Sequence, residues 1–205
     1  MSLDERLLIA ARTWGHTPAR ERAVERFSRL GEHSAVWLAI GLAGGAIEPQ
    51  RRARWGRATA SVLATYALNT ALKLLVRRTR PQPAGLPALT STPTRLSFPS
   101  AHASTSFAGA YAYSRLALPR LPLYALAATL SYSRLYLGVH YPSDVLAGAL
   151  LGSAVAVARE RENGALAPFS SDASATLAGA SANGHGPGSN GHGPERSTRT
   201  AGGRS

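Results

Sequence analysis

Seven side chains in three separated clusters are of the types that handle a phosphoryl group. Lys73 and Arg80 stand in KLLVRRTRP, Ser100 and His102 in PSAH, and Arg134, His140 and Asp144 in SRLYLGVHYPSD. Asp144 is the only carboxylate between Glu48 and Glu160, and it follows His140 by four residues, one helical turn. A carboxylate so placed can accept a hydrogen bond from one imidazole nitrogen, fix the tautomer and leave the other nitrogen's lone pair for attack. Histidine is a competent covalent nucleophile. Transfer of a phosphoryl group asks chiefly for positioning and charge neutralisation. Lys73, Arg80 and Arg134 supply the cations for that without a metal ion. Ser100 is an N-cap for the apolar run that follows, and the free N–H groups of such a helix start attract an anion. His102, in the first turn, is placed to pass a proton to a leaving oxygen.

Each cluster alone has a plainer reading. A lysine and an arginine at a helix end are often snorkelling anchors, and PSAH alone is equally a capped helix with an incidental histidine. The clusters gain force from the elements that must carry them. Apolar runs at 34–47, 58–76, 102–118, 121–132 and 145–158 are rich in Ala, Leu and Val, apolar all round, and almost free of acids. A soluble helical domain needs charged outer faces, so this pattern predicts an all-α membrane helix bundle of about five spans, residues 34–160. Several runs are shorter than the ~20 residues that cross a bilayer. Because successive antiparallel spans reverse direction, the connection after the second span and the one after the fourth lie on the same side. The three clusters therefore meet at one end of the bundle. Gly148 and Gly152 give the fifth span a small face for close helix packing.

Residues 1–33 form an N-terminal amphipathic segment, a single helix over 4–30 with Leu7, Leu8, Ala11 and Trp14 on one face and arginines and glutamates on the other. It carries no visible chemistry. Residues 161–205 are rich in Ala, Ser, Gly, Asn and Pro, repeat NGHGP, and read as a disordered tail. The formal net charge of +12 favours an anionic partner. Nucleic acid is set aside because no stacking aromatics alternate with Arg51, Arg52, Arg54 and Arg57. Without cysteine there is no thiolate site. There is also no His-x-x-x-His and no aspartate pair, so no metal site is visible. GLAGG lacks the Lys-Ser/Thr of a P-loop.

Taken together, the clusters resemble the signature of the type-2 phosphatidic acid phosphatase superfamily: Lys-x6-Arg-Pro, then Pro-Ser-Gly-His, then Ser-Arg-x5-His-x3-Asp. Here these are Lys73, Arg80 and Pro81; Pro99, Ser100 and His102; Ser133, Arg134, His140 and Asp144, within residues 57–158. The resemblance implies His140 as nucleophile, Asp144 as its partner, His102 as general acid, and Lys73, Arg80, Ser100 and Arg134 as phosphate ligands. It implies an integral membrane phosphatase of a bacterial cell membrane, without cofactor, hydrolysing a lipid phosphate among membrane lipids. The candidate substrates are polyprenyl phosphates or pyrophosphates, phosphorylated polyprenyl sugars and phosphatidate-type lipids. A soluble acid phosphatase or haloperoxidase would use the same residues, and a non-catalytic lipid-phosphate binder would keep the cations. Ala101 replaces the family's usual glycine, which costs little if that residue lies in an ordinary helical turn. The resemblance favours an extracytoplasmic site, whereas arginines at both ends of the bundle leave the charge rule nearly balanced.

Overall fold

A computed structural model of the chain describes residues 1–116 and 118–165, and among them helix is the only extended secondary structure. The expected single N-terminal helix is two: α1 (Leu3–Thr13) and α2 (Pro18–Arg29). The break follows from local chemistry. Gly15 takes a left-handed φ of 71°, Thr17 accepts from Arg20 N–H as an N-cap, and Pro18 opens α2 at its first position. The start of α1 is closed by a capping box between Ser2 and Glu5.

A single 3-10 turn, Glu32–Ser34, joins α2 to α3 (Ala35–Ile47) with a bend of 48° between the two halves. The bend rests on His33 and Ser34, which hold φ of 48° and 64° without being glycine. α4 (Arg52–Val76) follows, about 37 Å long, and ends on Arg77 in the left-handed conformation. A loop closed by Ser97 N–H to Arg78 O at 2.7 Å and Arg80 N–H to Arg95 O at 3.0 Å leads to α5 (Ala101–Ser114). α6 (Arg120–Tyr136) and α7 (Pro142–Ala165) complete the described chain. α7 thus runs a little beyond position 160, and the rest of the tail, 166–205, lies outside the described residues.

α5 is the central helix and packs most extensively on α7, then on α6 and α4. The α5–α7 approach is what the sequence reading of Gly148 and Gly152 requires. A Cβ on Gly152 would collide with Ser104 O, and one on Gly148 would lie 2.6 Å from Ser100 O. Asp144, Gly148, Gly152 and Ala156 recur every four residues as the buried stripe of α7.

The interior is unusually polar. Ser61, Thr65, Asn69, Ser104, Thr105 and Ser106 are buried, and Trp37 Nε1 donates to Ser106 Oγ at 2.9 Å. The outer faces are apolar, with Leu42, Leu63, Leu75, Leu121 and Leu150 each at least half exposed. Polar within and apolar without is the arrangement that a hydrocarbon solvent rewards. On length and apolarity alone, however, one helical stretch among the described residues qualifies as a span, Pro49–Val76; the bent α2–α3 pair qualifies as a second if counted as one unit. α5, at 14 residues, is about 21 Å long. The expected five spans thus exceed what these two measures alone establish.

Candidate active site

All three clusters are carried to one end of the bundle. Lys73 lies in the last turn of α4, Arg80 in the following loop and His102 in the first turn of α5. Arg134 lies in the last turn of α6, His140 in the tight connection, and Asp144 in the first turn of α7. Lys73, Arg80, His102, Arg134 and His140 line one cavity of about 440 Å³. Ser100 and Asp144 are fully buried and do not line it. Ser100 does occupy the N-cap position of α5, yet its hydroxyl makes no capping hydrogen bond and has no partner among the described residues. Its backbone N–H instead donates to Asp144 O at 3.0 Å, tying the start of α5 to the start of α7.

Two of the three cations, Lys73 and Arg80, are held by main-chain carbonyls of the two site loops. Lys73 Nζ donates to Leu96 O at 3.1 Å. Arg80 donates from Nε to Thr94 O at 2.9 Å and from Nη1 to Val139 O at 2.7 Å. Burial with little compensating charge lowers the Arg80 pKa to about 10, still charged at neutral pH. Arg80 Nη1 also lies 3.0 Å from His140 Nε2. A guanidinium only donates, so Nε2 accepts there, and the ring proton belongs on Nδ1. Complete burial, followed by Arg80, Arg134 and Lys73, pushes the His140 pKa well below its usual value. The imidazole is therefore neutral, with the Nε2 lone pair turned to the cations.

Asp144 stands on the other side of the ring. Its Oδ2 lies 3.5 Å from His140 Nδ1, longer than an ordinary hydrogen bond. The carboxylate has nearer partners: Tyr141 N–H at 2.8 Å on Oδ2 and Arg78 Nη1 at 2.8 Å on Oδ1. Arg78 also lies over the Tyr141 ring, 4.1 Å from its centre. Ala101, where the signature has glycine, opens α5 and is absent from the residues of positive φ, so the alanine there is unstrained.

The PAP2 superfamily profile matches residues 54–160, which span all three clusters. The chain belongs to the PAP2 superfamily. It is 41% identical over 128 residues to the decaprenylphosphoryl-5-phosphoribose phosphatase of Mycobacterium tuberculosis, covering 62% of this chain and 72% of that one. The lipid A 4'-phosphatase of Bacteroides thetaiotaomicron is 48% identical over a shorter stretch of 58 residues, 27% of this chain and 26% of that one. Among solved structures, Aquifex aeolicus LpxE superimposes with a TM-score of 0.67 at 24% identity, over 78% of this chain and 96% of that one. The transmembrane PAP2-type phosphatidylglycerolphosphate phosphatase of Bacillus subtilis does so with a TM-score of 0.66 at 25% identity, over 81% and 87%.

In this PAP2 protein the site extends beyond the matched region into the N-terminal helices. Asp4 of α1 accepts from Arg78 Nη2 at 2.8 Å and from Ser143 N–H at 2.9 Å, and its carboxylate also meets the Ser143 hydroxyl. These hydrogen bonds and Arg78 lower the Asp4 pKa against the opposing effect of burial. Ser28, at the end of α2, contacts both His102 and Arg134. Gly31, Glu32, His33 and Ser34 form one wall of the cavity, and Tyr66, Asn69 and Thr70 of α4 a second. The sequence contained one usable sign of the Asp4 contact, an arginine-dense stretch holding more cations than a single phosphate needs. For Ser28 and Gly31 it contained none.

Proposed function

We propose that this protein is an integral membrane phosphatase that hydrolyses a lipid phosphate through a phosphohistidine on His140. The observation that carries this reading is the convergence of two imidazoles, His102 and His140, and three cations, Lys73, Arg80 and Arg134, on one cavity. His140 Nε2 attacks phosphorus while the cations neutralise the equatorial oxygens. His102 gives its proton to the leaving oxygen as the P–O bond breaks. It then takes a proton from the water that cleaves the P–N bond and releases phosphate. Asp144 orients His140 and balances the charge that forms on the ring. Three fixed cations in the cavity support a reaction that needs no metal ion.

The favoured substrate is a phosphorylated polyprenyl sugar. The hydroxyl- and amide-bearing cavity wall of Tyr66, Asn69, Thr70 and Thr92 suits a polyol beside the phosphate better than an acyl chain. The mycobacterial relative named for such a substrate supports the same choice. α3 to α7 are the five spans, with α1 and α2 lying over the site end. The site faces the extracytoplasmic compartment, as the superfamily resemblance favours, which leaves the arginines at 51, 52, 54 and 57 on the cytoplasmic side. In detergent micelles, phosphate release should proceed faster from a polyprenyl-phosphoryl phosphosugar than from phosphatidate, and unchanged in EDTA. His140→Ala should lower turnover by about a thousandfold or more while leaving the melting temperature near that of the parent. Retained turnover in that variant contradicts the mechanism.

A further inference from the structure

We propose that Ser28 is a positioning residue of this active site, setting the proton donor with its carbonyl and one phosphate ligand with its hydroxyl. The proposal rests on the phosphatase reading above and adds to it a residue outside the region that the family profile matches. Ser28 is 1% exposed and ends α2 against the ends of α5 and α6. Its carbonyl oxygen accepts from His102 Nε2 at 3.1 Å. Its Oγ accepts from Arg134 Nη1 at 2.6 Å and lies 3.0 Å from Ser133 Oγ, which in turn reaches Leu130 O at 2.6 Å. The row guanidinium, hydroxyl, hydroxyl, carbonyl ends on an acceptor, so both hydroxyl protons can be placed, whereas Arg134 Nε has no hydrogen-bond partner among the described residues.

Two consequences follow. With Nε2–H committed to a main-chain carbonyl, His102 acts as an acid only as the imidazolium, and the proton it gives is the one on Nδ1, which leaves the neutral ring with its proton on Nε2. That proton goes to the leaving oxygen as the P–O bond breaks, and Nδ1 recovers one from the attacking water. Arg134, meanwhile, is aimed by a buried hydroxyl, and no carboxylate among the described residues forms an ion pair with it. Gly31 completes the device three residues on. Its φ of −87° is open to any residue, yet a Cβ there would stand 2.5 Å from His102 Cδ2. An added methyl acts on the imidazole and leaves the backbone unstrained.

The test uses the full chain in detergent, with three variants and two kinds of substrate. Gly31→Ala displaces the proton donor, so hydrolysis of an alkyl phosphate lipid should fall at least tenfold. Hydrolysis of p-nitrophenyl phosphate, whose leaving group needs no proton, should change less than threefold. Equal loss on both substrates would overturn the assignment of His102 positioning to this turn. Ser28→Ala removes the acceptor that aims Arg134, and inorganic phosphate measured by calorimetry should bind roughly tenfold more weakly, the worth of one charge-assisted hydrogen bond. Ser28→Cys keeps the volume with a poor acceptor and should lose affinity as the alanine does. If the cysteine restores wild-type binding, or the alanine never loses it, Ser28 serves packing alone and the proposal falls. Phosphate binding is read without turnover. A wild-type chain that binds phosphate but hydrolyses neither substrate would sink the phosphatase reading and still leave the Ser28 result to be judged.

Discussion

Charge and burial act together on His140. Burial, with three cations beside it, holds it neutral, which is the state a nitrogen nucleophile needs. The same fact has a cost in acid. The unfolded chain protonates this histidine near pH 6.5, whereas the folded one resists until well below that value. The unfolded state therefore binds more protons as the pH falls, and stability present above pH 6.5 is lost on acidification. Melting temperature in micelles should fall between pH 7 and pH 5, and His140→Gln should flatten that fall; an identical slope in the variant would place the effect elsewhere. The residue types and spacings of Lys73, Arg80, His102, Arg134, His140 and Asp144 were legible because their chemistry is carried by side chains in short, ordered runs. Their partners were not. Ser28 lies 106 residues from Arg134 and Asp4 lies 74 from Arg78, and nothing local in either serine or aspartate marks the distant contact.

At the scale of elements, the α5–α7 pair sets the site by bringing the start of one helix against the start of the other. Small residues allow it: Gly148 and Gly152 of the buried stripe face Ser104 and Ala108 of α5. Gly152→Ala sets a methyl against a main-chain carbonyl that cannot rotate away. It should destabilise the fold by about 3 kcal/mol and reduce turnover with it, as read by thermal unfolding and phosphate release; a variant as stable as the parent would mean that the helices part freely. This face was legible from glycine spacing alone. The division of the N-terminal helix at Gly15–Pro18 is also written locally, in a Gly and a Thr-Pro cap, but a continuous amphipathic pattern masks it. What no periodicity could give is where the pair docks. Arg12 Nη2 reaches Pro87 O at 2.9 Å, and His16 stacks on Tyr136 with ring centres 3.8 Å apart, so α1 and α2 pack against the elements that form the site.

At the largest scale, the described helices keep hydroxyls and amides inside, leucines on the outer faces and the site side chains at one end. Orientation follows from which end meets the cytoplasm, and the chain lends itself to that measurement because it contains no cysteine. In intact cells a membrane-impermeant maleimide should label Ala84→Cys in the exposed loop at the site end and leave Arg54→Cys unlabelled until the cells are opened. The reverse pattern would put the active site inside. The most direct test of the account is to quench the enzyme with alkali during turnover of a phosphorus-labelled substrate and map the label by mass spectrometry. A phosphoryl group on the peptide carrying His140, stable to base, lost in acid and missing from His140→Ala, is the expected result. Rapid turnover with no label on that histidine, or label on another residue, would contradict it.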